Sequence, residues 1–296
     1  MKNDKPLVSV IVNCFNGEKY LKEALSSIQN QTYNNWEIIF WDNKSIDASA
    51  EIYKSYNDKR FKYFYSNEHT SLYKARNLAI EKSAGDFISF LDVDDLWDKH
   101  KLDSLMPYFK QSDVGVVFGN IWLLKKDIRK KKLHANQKFP RGNIYDELVK
   151  NYNISIISNI IRKNFYLRLE KKFDFIGDFD LFLRLSKICK FESIQKPVAY
   201  YRLHGRNLTT LNKEKEVKEF QLWLAENQNN LKEFQVRNFQ NKINYKKFVN
   251  NKIEGNYREC ISMLLNKEIS LLSIKNLVVL FSKVFLLKKL LWYHQD

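Results

Sequence analysis

Residues 7–15 read LVSVIVNCF, and residues 18–29 read EKYLKEALSSIQ. The first run is almost continuously apolar and rich in β-branched side chains, which is typical of a strand buried on both faces of a parallel sheet. The second run places its apolar residues at helical spacing, namely Leu21, Ala24, Leu25 and Ile28. A buried strand followed by an amphipathic helix is the unit from which α/β folds are built.

The same alternation continues through the first hundred residues. Further strands are predicted at 36–41, 61–65 and 86–91 and helices at 47–56 and 71–82, with Ser45 or Asp47 as the cap of the first of these helices. This pattern predicts an α/β fold with a Rossmann-like, mostly parallel sheet flanked by helices. Ligands bind such sheets beyond the carboxyl ends of the strands, which here are residues 13–16, 42–45 and 92–95.

The second half of the chain is less regular. It contains a predicted helix at 99–110, a strand at 114–118, a basic loop or hairpin tip at 125–132, a helix at 176–187 and an edge-like segment at 192–203. Beyond about residue 210 the sequence has no proline and many Lys, Asn, Glu and Leu residues at helical spacing. We therefore predict two domains, an α/β domain at 1–210 and a basic, α-helical appendage at 211–296.

Composition excludes several classes of protein. The 296 residues are 44% hydrophobic and 28% charged, which is too apolar for a disordered chain. The three cysteines, Cys14, Cys189 and Cys260, form no CxxC pair, so neither a disulfide framework nor a cysteine-rich zinc site is indicated. No secretory hydrophobic region and no run of 18 uncharged apolar residues occurs, so we expect a cytoplasmic protein without a membrane span.

The net charge of +16 is concentrated in two segments. Residues 125–132 carry a net +5 and residues 211–296 a net +6, which favours a docking surface over a general nucleic-acid groove. Residues 269–293 combine apolar side chains with four lysines, as a helix lying in a membrane interface would. Alternatively, their apolar face packs on the rest of the protein or on a second subunit in a homodimer.

The strongest local signal for chemistry is FLDVDDLW at residues 90–97. A hydrophobic strand ends here in three carboxylates, Asp92, Asp94 and Asp95. Carboxylates repel one another unless they share a cation, and hard divalent metals prefer oxygen ligands. A metal that bridges to a diphosphate would explain the cluster, and an acidic turn that caps the next helix is the alternative.

Five further residues have two interpretations each. Asp42 either accepts a hydrogen bond from a nucleobase or caps a helix, and Arg76 either contacts a ligand or lies on a solvated helix face. Asp178 and Asp180 point in different directions at a helix start, so one of them faces a cleft while the other caps the helix or pairs with Arg184. His204 is either a ligand or a structural histidine.

The order of these motifs resembles that of the inverting glycosyltransferases of family 2, which have the GT-A fold. The resemblance covers about residues 6–208 and rests on these segments: VSVIVNCFN at 8–16, the helix from Leu21 to Gln31-Thr32-Tyr33, WEII at 36–39 with Asp42 and Ser45, ARN at 75–77, DVDD at 92–95 and DFDL at 178–181.

The resemblance implies a role for each residue of the site. It implies nucleotide binding by Asn13, Phe15, Asn16, Asp42, Arg76 and Asp92, with Phe15 stacking on the base, Asp42 reading the uracil N–H and Asp92 contacting the ribose. Asp94 and His204 would hold Mn²⁺ or Mg²⁺ on the diphosphate, and Asp178 stands where the catalytic base is found.

The sequence departs from the family pattern at several positions. The usual Pro-Thr-Tyr-Asn is here Asn13-Cys14-Phe15-Asn16, the second Asp after the next strand is Asn43, and the Gly that follows is Lys44. The Glu that commonly precedes the base is Gly177. The first changes bear on nucleotide preference, and the last bears on how the acceptor is held.

These features predict a metal-assisted, inverting, hexosyltransferase-type glycosyltransferase. It would move a sugar from a nucleotide-sugar, in the first instance a UDP-sugar, to a hydroxyl of a saccharide or lipid-linked saccharide in cell-envelope polysaccharide synthesis. The expected location is the inner face of the cell membrane, through peripheral contact with anionic lipid and without nucleic-acid binding. The alternatives are a catalytically decayed GT-A scaffold and a basic nucleic-acid-binding protein.

Overall fold

The computed structural model describes residues 5–125, 131–205, 207, 212–266 and 268–269. The chain divides into two compact units. The first unit comprises Met1–Leu148 and Tyr152–His204, and the second comprises Val149–Asn151 and Gly205–Asp296.

Nine strands and nine helices are found in the described part of the chain. The strands are β1 (Val8–Cys14), β2 (Trp36–Asp42), β3 (Phe61–Tyr65), β4 (Phe87–Phe90), β5 (Leu96–Trp97), β6 (Val114–Leu124), β7 (Lys131–Leu133), β8 (Asn159–Arg162) and β9 (Lys190–Arg202). The α-helices are α1 (Glu18–Gln29), α2 (Ser49–Lys54), α3 (Leu72–Glu81), α4 (Lys101–Leu105), α5 (Tyr145–Lys150), α6 (Gly177–Leu185), α7 (Lys213–Asn227), α8 (Glu233–Glu254) and α9 (Tyr257–Leu265).

One sheet has the strand order β3-β2-β1-β4-β8-β6-β9-β5, with β7 paired to β6. The first four strands in this order run parallel, and β8 then pairs antiparallel with both β4 and β6. The first four strands can run parallel because a helix between consecutive strands returns the chain to the end of the sheet at which the next strand begins. The predicted α/β architecture is confirmed.

The parallel strands are buried as their composition requires. Every residue of β1, β2 and β4 is buried, which matches continuous apolar runs covered on both faces. Helix α1 begins and ends as predicted, and it buries the four apolar residues of its inner face. In the register of β1 and β2, Cys14 is opposite Asp42, so the polar residues after both strands emerge at the same edge.

Several elements differ in extent from the sequence prediction. The N-cap of α2 is Ala48 and not Ser45 or Asp47. Helix α4 ends at Leu105 and continues as a short 3-10 turn, because Pro107 has no N–H to donate to the preceding turn. Strand β6 extends to Leu124, well past the predicted end at residue 118.

The basic run at 125–132 is flanked by a hairpin. Strands β6 and β7 pair antiparallel from Trp122↔Leu133 to Leu124↔Lys131. Residues 126–130, at the predicted tip, lie outside the described residues.

The described part of the second unit is helical. Helices α8 and α9 pack around a small apolar cluster. Its buried members are Phe248, Val249, Cys260, Met263 and Ile269. The predicted interfacial segment at 269–293 lies outside the described residues apart from Ile269. Among the helices that the structure describes, none is both long enough and apolar enough to cross a membrane.

Candidate active site

Helix α3 holds together the polar residues at the carboxyl end of the sheet. Arg76 is only 3% exposed, and its Nη2 atom lies 2.5 Å from Oδ1 of Asp92. The alternative of a solvated face for Arg76 is therefore wrong. Asn77, the next residue, faces the segment that precedes α6, since it accepts from the N–H of Leu169 and donates to the Leu169 carbonyl.

The acidic turn after β4 is tied to the end of β9. His204 Nε2 lies 2.8 Å from Asp94 Oδ2, and the backbone N–H of Arg202 donates to Asp95 Oδ1 at 2.8 Å. The Arg202 side chain donates to the Asp94 carbonyl at 2.9 Å. The turn does not cap α4, whose N-cap is His100.

Burial and the charges of neighbouring carboxylates raise the proton affinity of Asp94 and Asp95. Burial and the charge of Asp92 raise the pKa of Asp94 above its usual value, and the hydrogen bond with His204 opposes this rise. Burial, followed by the charges of Asp94 and Asp92, raises the pKa of Asp95 well above its usual value. The turn therefore concentrates negative charge that the neighbouring side chains compensate only in part.

The donor atoms at this turn suit a divalent cation. A carboxylate oxygen of Asp94 faces an imidazole nitrogen of His204; carboxylate oxygen is a preferred ligand of Mn²⁺ and Mg²⁺, and imidazole nitrogen is a ligand of transition-metal ions. Asp95 Oδ2 is buried without a hydrogen-bond partner. Among the described residues, no group of three or more His, Cys, Asp or Glu side chains is arranged to hold a metal ion.

Asp178 lies in the first turn of α6, close to α3. Its Oδ1 accepts a hydrogen bond from the Phe179 N–H at 2.9 Å, and the Tyr73 hydroxyl lies 3.5 Å from the same atom. Burial raises the pKa of Asp178, and the Arg76 cation lowers it. Asp180 forms an ion pair with Arg184 at 2.8 Å, which confirms that one of the two aspartates pairs with Arg184.

The end of β1 and the loop that follows it contribute one amide without a hydrogen-bond partner and one exposed aromatic ring. The Phe15 side chain is 49% exposed, and its ring centre lies 4.1 Å from that of His69. Asn13 is 9% exposed, and neither polar atom of its amide has a hydrogen-bond partner. Asn16 adopts a left-handed backbone with φ of 52°, and its side chain accepts from the N–H of Ile46.

Asp42 is fully buried and already hydrogen-bonded. Its Oδ1 accepts from the Ser45 N–H at 2.8 Å and its Oδ2 from the Tyr63 hydroxyl at 2.6 Å. Asp42 does not cap α2, which begins at Ser49. Its structural work is to join the end of β2 to β3 and to the loop that follows β2.

Sequence reasoning missed several residues of this region. They are Tyr20, Glu23, Tyr63, His69, Tyr73 and Arg202, which contact the predicted site residues or their immediate neighbours. Tyr63 alone had an available signal, since it lies in a predicted strand next to the one that ends in Asp42.

Comparison with known proteins identifies the family. Residues 9–170, more than half of the chain, match the family described as Glycosyl transferase family 2. The chain belongs to this family. The predictions of a family-2 glycosyltransferase and of an enzyme are confirmed at this level.

The curated relatives of the chain include two named bacterial glycosyltransferases. The putative teichuronic acid biosynthesis glycosyltransferase TuaG of Bacillus subtilis is 32% identical over 165 residues, which are 54% of this chain and 64% of TuaG. The UDP-Glc:alpha-D-GlcNAc-diphosphoundecaprenol beta-1,3-glucosyltransferase WfgD of Escherichia coli is 28% identical over 217 residues, 73% of this chain and 84% of WfgD. The chain thus spans less than two thirds of TuaG and most of WfgD.

Solved structures show the same fold. Staphylococcus aureus TarS in complex with UDP has a TM-score of 0.57 at 20% identity, over 80% of this chain and 69% of that chain. The mannosyltransferase PcManGT of Pyrobaculum calidifontis, in complex with GDP-Man and Mn²⁺, has a TM-score of 0.59 at 14% identity, over 82% and 72% of the two chains. These similarities concern the fold, and the predicted GT-A architecture is confirmed.

Proposed function

We propose that this glycosyltransferase transfers a sugar from a UDP-sugar to a hydroxyl of a saccharide or lipid-linked saccharide, with inversion at the anomeric carbon. The observation that carries the proposal is the placement of Arg76. This buried cation pairs with Asp92 and lowers the pKa of Asp178, so one residue of α3 links the acidic turn to the candidate base.

Asp178 is the proposed general base. In a single displacement, an acceptor oxygen forms a bond to the anomeric carbon while the bond from that carbon to the diphosphate oxygen breaks. The acceptor hydroxyl gives its proton to Asp178, and the nucleoside diphosphate leaves with the bonding electrons. The acceptor becomes acidic only as the new bond forms, so a carboxylate with a modestly raised pKa is sufficient.

The acidic turn is the proposed diphosphate site. Asp94 and His204 would hold a divalent cation there, and that cation, when bound, would stabilise the negative charge of the leaving diphosphate. Asp92, fixed by Arg76, would face the ribose. The half-exposed Phe15 ring offers a surface on which the base can stack, and Asn13 offers an amide that lacks a partner within the protein.

Relatives and structural neighbours support UDP as the nucleotide and the cell envelope as the context. WfgD is named for a UDP-glucose donor and a diphosphoundecaprenol acceptor, and TuaG is named for teichuronic acid biosynthesis. TarS has been solved with UDP and with UDP-GlcNAc. The complex of PcManGT with GDP-Man makes GDP the necessary comparison.

Calorimetric titration with UDP and with GDP, each with and without Mn²⁺, tests the proposal on the wild type and on Asp94→Ala. We expect Mn²⁺-dependent binding of UDP that Asp94→Ala weakens by about tenfold or more. A preference for GDP would overturn the donor assignment and keep the reaction. Binding of neither nucleotide by the folded protein with Mn²⁺ present would contradict the nucleotide site.

Turnover tests the base. Asp178→Asn preserves the size of the side chain and removes its proton affinity, so UDP release should fall by about 1000-fold while UDP affinity stays within twofold. Unchanged turnover would remove Asp178 from the proposed mechanism. Loss of UDP binding in the same variant would instead show a structural role.

We also propose that the second unit docks on anionic membranes. Helix α9 exposes Tyr257, Ile261 and Leu265, which are four residues apart and therefore share one face. The exposed Arg258 is adjacent to this face, and basic side chains beside an apolar stripe favour anionic interfaces.

Flotation with liposomes tests the docking. The full chain should float with phosphatidylglycerol-containing liposomes at low salt, and Ile261→Glu should reduce the bound fraction. The matched control is Ile188→Glu, which changes an exposed isoleucine of the first unit. Equal flotation on neutral liposomes, or a stable dimer dissociated by Ile261→Glu, would assign the apolar face to another partner.

A further inference from the structure

Gly177, the first residue of α6, lies against an aromatic ring. A Cβ atom at this position would lie 2.5 Å from Cε2 and 2.6 Å from Cδ2 of Tyr73. Real Cβ atoms do not approach carbon that closely, so any larger residue would displace the ring. The backbone of Gly177 is not left-handed, in contrast to Gly142 and Gly255. Glycine is therefore needed at position 177 to leave space for the Tyr73 ring, and not to allow a left-handed backbone.

The Tyr73 ring is fixed on the α3 side. The residue is 3% exposed, and the guanidinium carbon of Arg76 lies 5.7 Å from its ring centre, one helical turn along α3. The hydroxyl lies 3.5 Å from Asp178 Oδ1, which already accepts the Phe179 N–H. Catalytic hydrogen bonds are commonly long before substrates bind and shorten in the complex.

We propose that Tyr73 positions Asp178, and that Gly177 admits the ring that does so. This inference rests on the proposed role of Asp178 as the base. Two donors on Oδ1, the Phe179 N–H and the Tyr73 hydroxyl, fix the carboxylate and leave Oδ2 to accept the proton of the acceptor. Where the resemblance leads one to expect a Glu before the base, this chain uses the space for a tyrosine from α3.

The kinetic test compares Tyr73→Phe with Tyr166→Phe. Each variant removes one tyrosine hydroxyl that bonds in the interior of the first unit, but the hydroxyl of Tyr166 donates to Asn77 at 2.8 Å and not to Asp178. UDP release is measured with UDP-glucose and UDP-GlcNAc as donors, and UDP affinity is measured by calorimetry. Asp178→Asn supplies the value for loss of the base.

A positioning role predicts a change in turnover alone. For Tyr73→Phe we expect kcat to fall by about 10- to 100-fold, because a slightly misplaced base is a poor one, while UDP affinity stays within twofold. Tyr166→Phe should keep the wild-type kcat. Wild-type kcat in Tyr73→Phe would overturn this inference and leave the base assignment intact, provided that Asp178→Asn is inactive. Unchanged turnover in Asp178→Asn, or no turnover by the wild type with any UDP-sugar, would overturn both.

Thermal unfolding tests the packing half of the inference. Alanine is the better helix former, so Gly177→Ala would raise Tm if only local propensity mattered. We expect it to lower Tm by roughly 5 °C through overlap with the ring. In the background of Tyr73→Leu, which removes the ring and keeps an apolar side chain, the same substitution should cost nothing. An equal loss of Tm in both backgrounds would overturn the pairing of these two residues.

Discussion

Two clusters of polar residues at the same end of the sheet use their side chains in opposite ways. At the end of β2 and in the loop that follows it, the buried Asp42 finds its hydrogen-bond donors within the protein, namely Tyr63 and Ser45. The acidic turn after β4 instead holds carboxylates whose pKa values rise with burial and with one another's charge. The first cluster has the hydrogen-bond partners it needs within the protein, whereas the negative charge of the second is fully compensated only when further positive charge is supplied.

Among the tests of this contrast, the largest expected effect comes from removing the Arg76 cation, which pairs with Asp92 of the acidic turn. Arg76→Met should lower kcat/KM at pH 7 by about 100-fold, because Asp92 loses its partner and the pKa of Asp178 rises without the Arg76 charge. The base must be deprotonated, so the acid limb of the kcat profile should move to higher pH. Arg168→Met, which breaks an exposed ion pair with Glu81 on the same helix, is the control. An unshifted acid limb would separate Arg76 from Asp178.

Removing the buried carboxylate of Asp42, at the end of β2, should destabilise the protein. Asp42→Ala leaves the partly buried Ser45 N–H and Tyr63 hydroxyl without their acceptor, so the free energy of unfolding should fall by about 2 kcal/mol. Urea unfolding measures it. Asp113→Ala breaks an exposed pair with Lys190 and should leave the free energy of unfolding nearly unchanged. Equal losses would erase the contrast.

In the acidic turn, by contrast, neutralising a carboxylate should raise the free energy of unfolding. The folded-state pKa of Asp95 is raised, so the native protein gains stability as the pH falls through that value and lacks this contribution at higher pH. Asp95→Asn keeps an acceptor for the Arg202 N–H and should be more stable than wild type at pH 7, by about 1 kcal/mol. Urea unfolding from pH 7 to pH 4 should show this advantage shrinking as wild-type Asp95 becomes protonated. A variant less stable than wild type at pH 7 would contradict the prediction.

The smallest effect concerns backbone strain at Lys44, in the loop after β2. Lys44 has a left-handed backbone with φ of 72° where the family pattern has glycine. Lys44→Gly should raise the free energy of unfolding by about 0.5 kcal/mol, which is the relief of Cβ strain less the entropy cost of glycine. Lys44→Ala keeps the Cβ atom and should show no gain. Equal changes in the two variants would show that the exposed lysine side chain, and not the backbone, matters here.

The sequence predicted the elements whose signals are local. Strand β1 and helix α1 follow from a β-branched run and from 3.6-residue spacing, and the pair of Asp180 with Arg184 follows from their separation of four residues. The extent of β6 did not follow, because Gly119 and Asn120 interrupt its apolar pattern at a register shift against β9.

The site was predictable only as a list of residues. That Asp92 and Asp178 are close to α3 depends on pairings across long stretches of chain, such as those of Arg76 with Asp92 and of Tyr73 with Asp178. The burial of Asp42 depends on a tyrosine of the adjacent strand, and the packing of Gly177 depends on Tyr73. Spacing along one strand or helix carries no information about these contacts.

Arg202 binds three groups at once: its N–H donates to Asp95, its Nε to the Asp94 carbonyl, and its Nη2 to Glu23 of α1 at 2.8 Å. The energetic effects of replacing Glu23 and Asp95 will therefore not add, since each substitution changes how the shared arginine serves the other. A homologue that alters one of these positions must accommodate the others in the same step. We therefore expect the residues at the end of β9, in helix α1 and in the acidic turn to change together among homologues.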